Sequence, residues 1–127
     1  LATMAIGNRE ECRIAVGTSD PNEAADRLLG LGLSAAIVKM GGEGVMVATA
    51  DGVRVQVPPR RVEVVCGLGA GDAFGGAICH GLLSGWSLVR CAEAGNAAGA
   101  IVASRLMCAD DMPTEADIEG MLSDGTV

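Results

Sequence analysis

A chain of 127 residues, half of them hydrophobic, is long enough for one compact domain and has ample apolar side chain to fill its core. Sixteen acidic against nine basic residues leave a formal net charge of -7, which excludes nucleic acid as the main ligand, because a phosphate backbone is held by clustered lysines and arginines. No apolar run approaches the roughly 20 residues of a membrane-spanning helix, so no membrane partner is expected; a small phosphate ligand stays open, since backbone N–H groups at a helix start can hold one.

Thr3 to Gly7 is a short apolar run that reads as a strand, and Asn8 is placed to cap a helix from Arg9 to about Val16. With no Met at position 1 and strand from the outset, the chain is expected to be part of something longer. Asp20-Pro21-Asn22-Glu23 supplies a cap, a proline at the first helical position and an acid at the third, ahead of an amphipathic helix through Leu31 that Gly32 stops. Ala35 to Met40 is continuous and apolar, as in a strand buried on both faces, and ends in Gly41-Gly42. Val45 to Ala48 and Val53 to Val57, joined around Asp51-Gly52, predict a hairpin that Pro58-Pro59 ends.

After the run Val62 to Val65 comes a glycine-rich turn, Gly67 to Gly71. A helix follows in which Phe74, Ile78 and Leu82 recur every four residues, predicting a core-facing stripe. Ser87 caps a helix from Leu88 to about Leu106, and Thr114 to Asp117 reads as a capping box for a last helix through Leu122. Strands alternating with helices imply an α/β layered domain whose sheet, given the hairpin, is not purely parallel. Five cysteines (Cys12, Cys66, Cys79, Cys91, Cys108) without a Cys-x-x-Cys pair read as reduced thiols of a cytoplasmic protein and, with the six methionines, as core filler.

Gly69-Ala70-Gly71-Asp72 is the sharpest candidate for chemistry. Small residues leading straight into a helix leave several N–H groups aimed at one spot, with the partial positive charge of the helix start behind them. Asp72 there could take a proton from an attacking hydroxyl while the amides stabilise transferring phosphoryl oxygens; the plain alternative is a turn with an acid that favours the helix dipole. Asn8 and Glu11 have the spacing to hold a hydrated Mg²⁺ and also that of an ordinary capping box, and both readings can hold together. Lys39, with Gly41, Gly42 and Gly44, could meet a phosphate and let a nucleotide approach closely, or could be a solvated lysine beside a glycine turn. The Ala/Gly-rich helix around Asn96 offers a flat surface for an adenine ring or simply close helix packing. His80 is given no role.

Together these four elements have the order and approximate spacing of the ATP-binding half of the ribokinase-like (PfkB-type) carbohydrate kinases. The chain resembles that half from about Met4 to Leu122. The resemblance implies the C-terminal portion of a three-layer α/β/α sandwich, mainly parallel with a β-hairpin, and makes residues 1–127 the ATP-binding part of a domain whose N-terminal sugar-binding part and lid are absent. It implies Asp72 as the base, Gly69, Ala70 and Gly71 as the anion hole, Asn8 and Glu11 as organisers of Mg²⁺ through water, and ATP near Lys39, Gly41, Gly42, Gly44 and Asn96. The expected partners are a small sugar substrate and ATP, in a homo-oligomeric full-length protein. Where the family's signature usually opens with Asp-Thr, this chain has Cys66-Gly67. That removes a carboxylate which in many members helps to bind a monovalent cation, so potassium dependence is not carried over. A binding module that has lost catalysis is the competing class, against which the retention of Asp72 and the whole glycine loop weighs.

Overall fold

The structure is a computed structural model that describes residues 2–106 and 109–124. The chain divides into two units, Leu1–Pro58 and Pro59–Val127.

The first unit is built on a four-stranded sheet in the order β1-β2-β3-β4. Its strands are β1 (Met4–Asn8), β2 (Ala35–Lys39), β3 (Val45–Thr49) and β4 (Arg54–Val57), with helices α1 (Arg9–Val16) and α2 (Pro21–Gly30) between the first two. β1 and β2 pair in parallel and the other two pairings are antiparallel. The expected hairpin, β3 with β4, supplies half of the strands, and with two antiparallel pairings against one parallel the sheet of the described residues is mixed rather than mainly parallel.

Local chemistry fixes the helix starts. Asn8 and Glu11 close a reciprocal capping box, and Gly17, at φ 81°, ends α1 by donating its N–H to the Arg13 carbonyl. Asp20 accepts from the Glu23 N–H at 2.8 Å and Pro21 opens α2. Arg27 reaches back 2.7 Å to the Val16 carbonyl, satisfying one of the acceptors that α1 leaves open. Ala24, Ala25 and Leu28 of α2 pack with Cys12, Ala36, Val38, Met46 and Ala48 in one core cluster. Ile37 and Val47 are equally buried on the opposite pleat, as a strand covered on both faces requires. Arg54 ties β4 to α2 through Asp26 at 2.6 Å.

The second unit holds α3 (Ala70–Leu83), α4 (Leu88–Ala103) and α5 (Glu115–Asp124). The run Val62 to Val65 is irregular chain. The buried face of α3 is Ala73, Phe74, Ala77, Ile78 and Gly81, whereas Leu82 is 44% exposed. A four-residue repeat drifts about 40° per step on a helix of 3.6 residues per turn, so the expected stripe has left the core by its third member. α4 stops at Ala103, short of the expected Leu106: Arg105 N–H turns to the Val102 carbonyl at 3.0 Å, and the Ala103 carbonyl accepts the N–H groups of Val65 (2.8 Å) and Cys66 (3.1 Å). α5 is tethered by His80 to Glu115 (2.9 Å) and by Arg90 to Glu119 (2.7 Å), with the Arg90 guanidinium 4.4 Å above the Trp86 ring.

Cys12 and Cys91 are buried as expected, but Cys79 is exposed and Cys66 half-buried. Among the methionines Met40, Met46 and Met121 are core residues, while Met112 is exposed. Cys108 and Met107 lie outside the described residues.

Candidate functional site

In the second unit the glycine-rich turn is built so that α3 begins at Ala70. Gly69 caps the helix at φ 85° and ψ -8°, a left-handed conformation that costs an alanine or larger residue about 1 kcal/mol or more. Its carbonyl takes the Ala73 N–H at 2.9 Å, and the Ala70 N–H points to the Gly67 carbonyl at 3.3 Å. The N–H groups of Gly71 and Asp72 find no acceptor among the described residues. The Asp72 side chain is exposed and makes no ion pair or hydrogen bond with a described residue. Two open amides and an unengaged carboxylate thus share one helix start. Such a place favours an anion at the amides, with the carboxylate standing beside it.

The position of this turn is set by close packing. A methyl group on Gly99 would stand 3.2 Å from the Ala70 carbonyl oxygen, and one on Gly95 would stand 2.7 Å from the Phe74 ring. The close-packing reading of the small-residue helix α4 therefore holds, with Asn96 half-buried upon it. Beside Asp72 lies a cavity of about 400 Å³, lined by Gly76, Ala77 and His80 of α3, Ala94 and Ala98 of α4, and Trp86, Met112 and Pro113. Its wall carries the carboxylates of Asp72 and Glu115 and neither a lysine nor an arginine. An anionic ligand would find no counter-charge there.

In the first unit the strand register sets Asn8 beside Lys39, since the two are partners at the C-terminal ends of the parallel pair. Asn8 accepts the Glu11 N–H on Oδ1 at 2.8 Å, and Glu11 Oε2 accepts the Asn8 N–H at 2.7 Å. The capping reading is thus realised. Glu11 Oε1 and the Asn8 side-chain nitrogen remain uncommitted among the described residues. The free Glu11 carboxylate oxygen can accept from the waters of a hydrated Mg²⁺, whereas the Asn8 amide nitrogen is a donor and cannot, and no cluster of three or more acidic, His or Cys ligands exists among the described residues to cage a bare ion. The neighbouring Glu10 is engaged elsewhere, because Arg13 donates to both of its carboxylate oxygens, a pairing that also lowers its pKa from the usual value.

Lys39 ends β2 half-buried, and Gly41–Glu43 follows as one short turn. Gly41 (φ 59°) and Gly44 (φ 91°) adopt left-handed conformations, and a methyl group on Gly41 or Gly42 would meet nothing within 4 Å. This side of the turn is open to a ligand. Two residues that hold the turn, Arg9 and Gln56, were not legible as functional. Arg9 Nη2 donates to Glu43 Oε2 at 2.8 Å and Gln56 Nε2 to the Glu43 carbonyl at 3.1 Å. Only the place of Arg9 inside Asn-x-x-Glu could have drawn notice.

The sequence profile of the pfkB family of carbohydrate kinases matches residues 1–115. The chain belongs to this family. Among curated relatives of this PfkB chain, the 5-dehydro-2-deoxygluconokinase of Clostridium botulinum is 31% identical over 126 residues, covering 95% of the chain and 37% of the relative. The enzyme of the same name from Photobacterium profundum is 38% identical over 120 residues, covering 91% and 36%. Among solved structures, a ribokinase II from E. coli in complex with ATP and Mg²⁺ superposes with a TM-score of 0.88 at 27% identity, over 95% of this chain and 39% of that one. The fold is therefore ribokinase-like, an α/β architecture. The PfkB chain spans little more than a third of the length of the curated relatives it matches. Among the described residues no helix is long and apolar enough to cross a membrane.

Proposed function

We propose that the protein to which this chain belongs is an ATP-dependent sugar kinase that transfers the γ-phosphoryl group of MgATP to a primary hydroxyl of a sugar acid. The acceptor we favour is 5-dehydro-2-deoxy-D-gluconate, an intermediate of inositol catabolism. The names of the curated relatives support that substrate, and the E. coli structure with ATP and Mg²⁺ supports the cofactors. The observation that carries the reading is the helix start at Asp72, where unengaged amides and an unengaged carboxylate meet. Bound MgATP supplies the phosphoryl group and the cation that neutralises its charge.

Asp72 accepts the proton of the acceptor hydroxyl. Of the expected anion hole, the amides of Gly69 and Gly71 hold the transferring oxygens together with that of Asp72, while the Ala70 amide is turned to the Gly67 carbonyl. Glu11, held by Asn8 in the capping box, positions the waters of Mg²⁺, and Lys39, Gly41, Gly42, Gly44 and Asn96 hold the nucleotide. The cavity beside Asp72 does not suit an acidic sugar, since among the described residues no lysine or arginine lines it and its one histidine, His80, is already engaged by Glu115; recognition of the acceptor belongs to parts of the full-length, homo-oligomeric protein outside this chain.

In the full-length enzyme Asp72→Asn should lower kcat by about 10²- to 10⁴-fold, the usual yield of a positioned base, with KM for ATP little changed. An equal loss in both would remove Asp72 from the base role. This chain alone should bind nucleotide weakly and show no turnover, because positioning of an acceptor supplies much of the rate. A panel containing 2-dehydro-3-deoxygluconate, fructose and ribose separates the favoured acceptor from those of other family kinases, and a full-length protein silent on all of them would be a non-catalytic nucleotide-binding module.

A further inference from the structure

We infer that Arg9 and Glu43 form a latch that sets the position of the Gly41–Gly44 turn for nucleotide binding. The inference rests on the reading of that turn as a nucleotide loop. Arg9 is the first residue of α1 and sits inside Asn-x-x-Glu, while Glu43 closes the glycine turn 34 residues later. Their side chains meet at 2.8 Å, and Arg9 Nε is shut away from solvent with no partner. The guanidinium is therefore held down against the protein by Glu43. The turn is closed at its base by Met40 N–H to the Gly44 carbonyl at 2.8 Å, while the bonds within it, Glu43 N–H to Met40 at 3.2 Å and Gly44 N–H to Gly41 at 3.1 Å, lie at the long end of the ordinary range.

Two of its glycines are at positive φ, so the backbone has little preference of its own to keep it in place. Arg9 on the Glu43 carboxylate and Gln56 on the Glu43 carbonyl fix it from two sides. With side chains 41% and 63% exposed, the ion pair contributes little to global stability. Its effect falls on where the turn stands relative to Asn8, Glu11 and Lys39, the groups at the strand ends of the same unit. Arg9 acts through the turn and is a positioning residue.

The test uses the 127-residue chain, read by amide hydrogen exchange and by NMR titration with MgATP. Arg9→Ala and Glu43→Gln should each speed exchange at the Glu43 and Gly44 amides by about two- to fivefold, the scale of an exposed ion pair, and leave Val47 of β3 unchanged. Both should raise the Kd for MgATP by a similar factor. Glu43→Gln separates the latch from a plain charge effect, since removing an acid near a polyphosphate would otherwise tighten binding. The exchanged pair Arg9→Glu with Glu43→Arg should restore slow exchange. Unchanged exchange in both single variants overturns the latch, as does tighter MgATP binding by Glu43→Gln. If MgATP moves no resonance of Gly41, Gly42 or Gly44 in the unaltered chain, the nucleotide reading of the turn falls, while the exchange measurement still decides whether the latch exists.

Discussion

Gly95→Ala tests the claim that the helix pair carrying Asp72 is set by contact rather than by helix propensity. The added methyl carbon would lie 2.7 Å from both Cδ2 and Cε2 of Phe74 and 3.1 Å from its Cγ. Carbon atoms rest at roughly 3.5–4.0 Å, so the overlap is about 1 Å. The ring cannot swing clear, because Phe74 is 4% exposed and the contact reaches the root of the ring. Either the ring leaves its rotamer or α3 and α4 separate, and overpacking of this kind costs about 1–3 kcal/mol. Against this stands the gain of about 0.8–1 kcal/mol for alanine over glycine inside a helix.

The net expectation is a loss of about 0.5–2 kcal/mol. In urea, at an m-value of about 2 kcal/mol/M, a loss of 1 kcal/mol lowers the midpoint by about 0.5 M. Gly75→Ala is the control within α3: its methyl group would meet nothing within 4 Å, so propensity alone acts and the midpoint should rise. Phe74→Leu should recover part of the Gly95→Ala loss, giving a coupling of about 1–2 kcal/mol in the double-mutant cycle. If Gly95→Ala stabilises the chain as Gly75→Ala does, or if the cycle is additive, the contact does not set the helix pair.

Two further outcomes follow from the titrating groups. Burial raises the pKa of the Cys12 and Cys91 thiols above the ordinary thiol value, so in the native chain iodoacetamide should label exposed Cys79 and half-buried Cys66 well before them, as peptide mass spectrometry would show; early labelling of Cys91 would contradict its place in the core. Asp117 is held below the usual carboxylate range by the backbone and side-chain hydrogen bonds of Thr114. The folded state therefore favours its charged form: that stabilisation is complete above the ordinary aspartate pKa and drains away as pH falls through the depressed folded value. The stability difference between the unaltered chain and Asp117→Asn should close in that acid range, and a difference that persists unchanged through it would refute the cap.

The starts of α1, α2, α4 and α5 were legible to the residue because their signals are local, whereas α3 begins at Ala70, inside the expected turn of Gly67 to Gly71. Asn8 with Glu11, Asp20 with Pro21, Ser87, and Thr114 with Asp117 each satisfy an orphan N–H within three positions of the cap, and each does so in the structure. Helix ends were less legible where the decisive partner is distant in sequence. α4 ends at Ala103, where the carbonyl is claimed by residues some 38 positions earlier, and nothing in the run to Leu106 announces this. The glycine turn at Asp72 falls in the first group, since its open amides follow from the helix start itself. Arg9 falls in the second, because its partner Glu43 is found only once β1 and β2 lie side by side.

The charge around Asp72 also bears on how much of the proposed chemistry this unit can perform alone. Near the carboxylate, the sources of positive potential are two open amides and a helix start worth roughly half an elementary charge, while the cavity wall adds a second carboxylate and no lysine or arginine. A triphosphate brings several negative charges, so a helix start cannot balance it. The bulk of the neutralisation must come from the metal ion and from cationic groups away from this wall. On the proposed reading, a wall without lysine or arginine makes this unit depend on the metal ion and on cationic groups elsewhere to balance the charge of a transferring phosphoryl group.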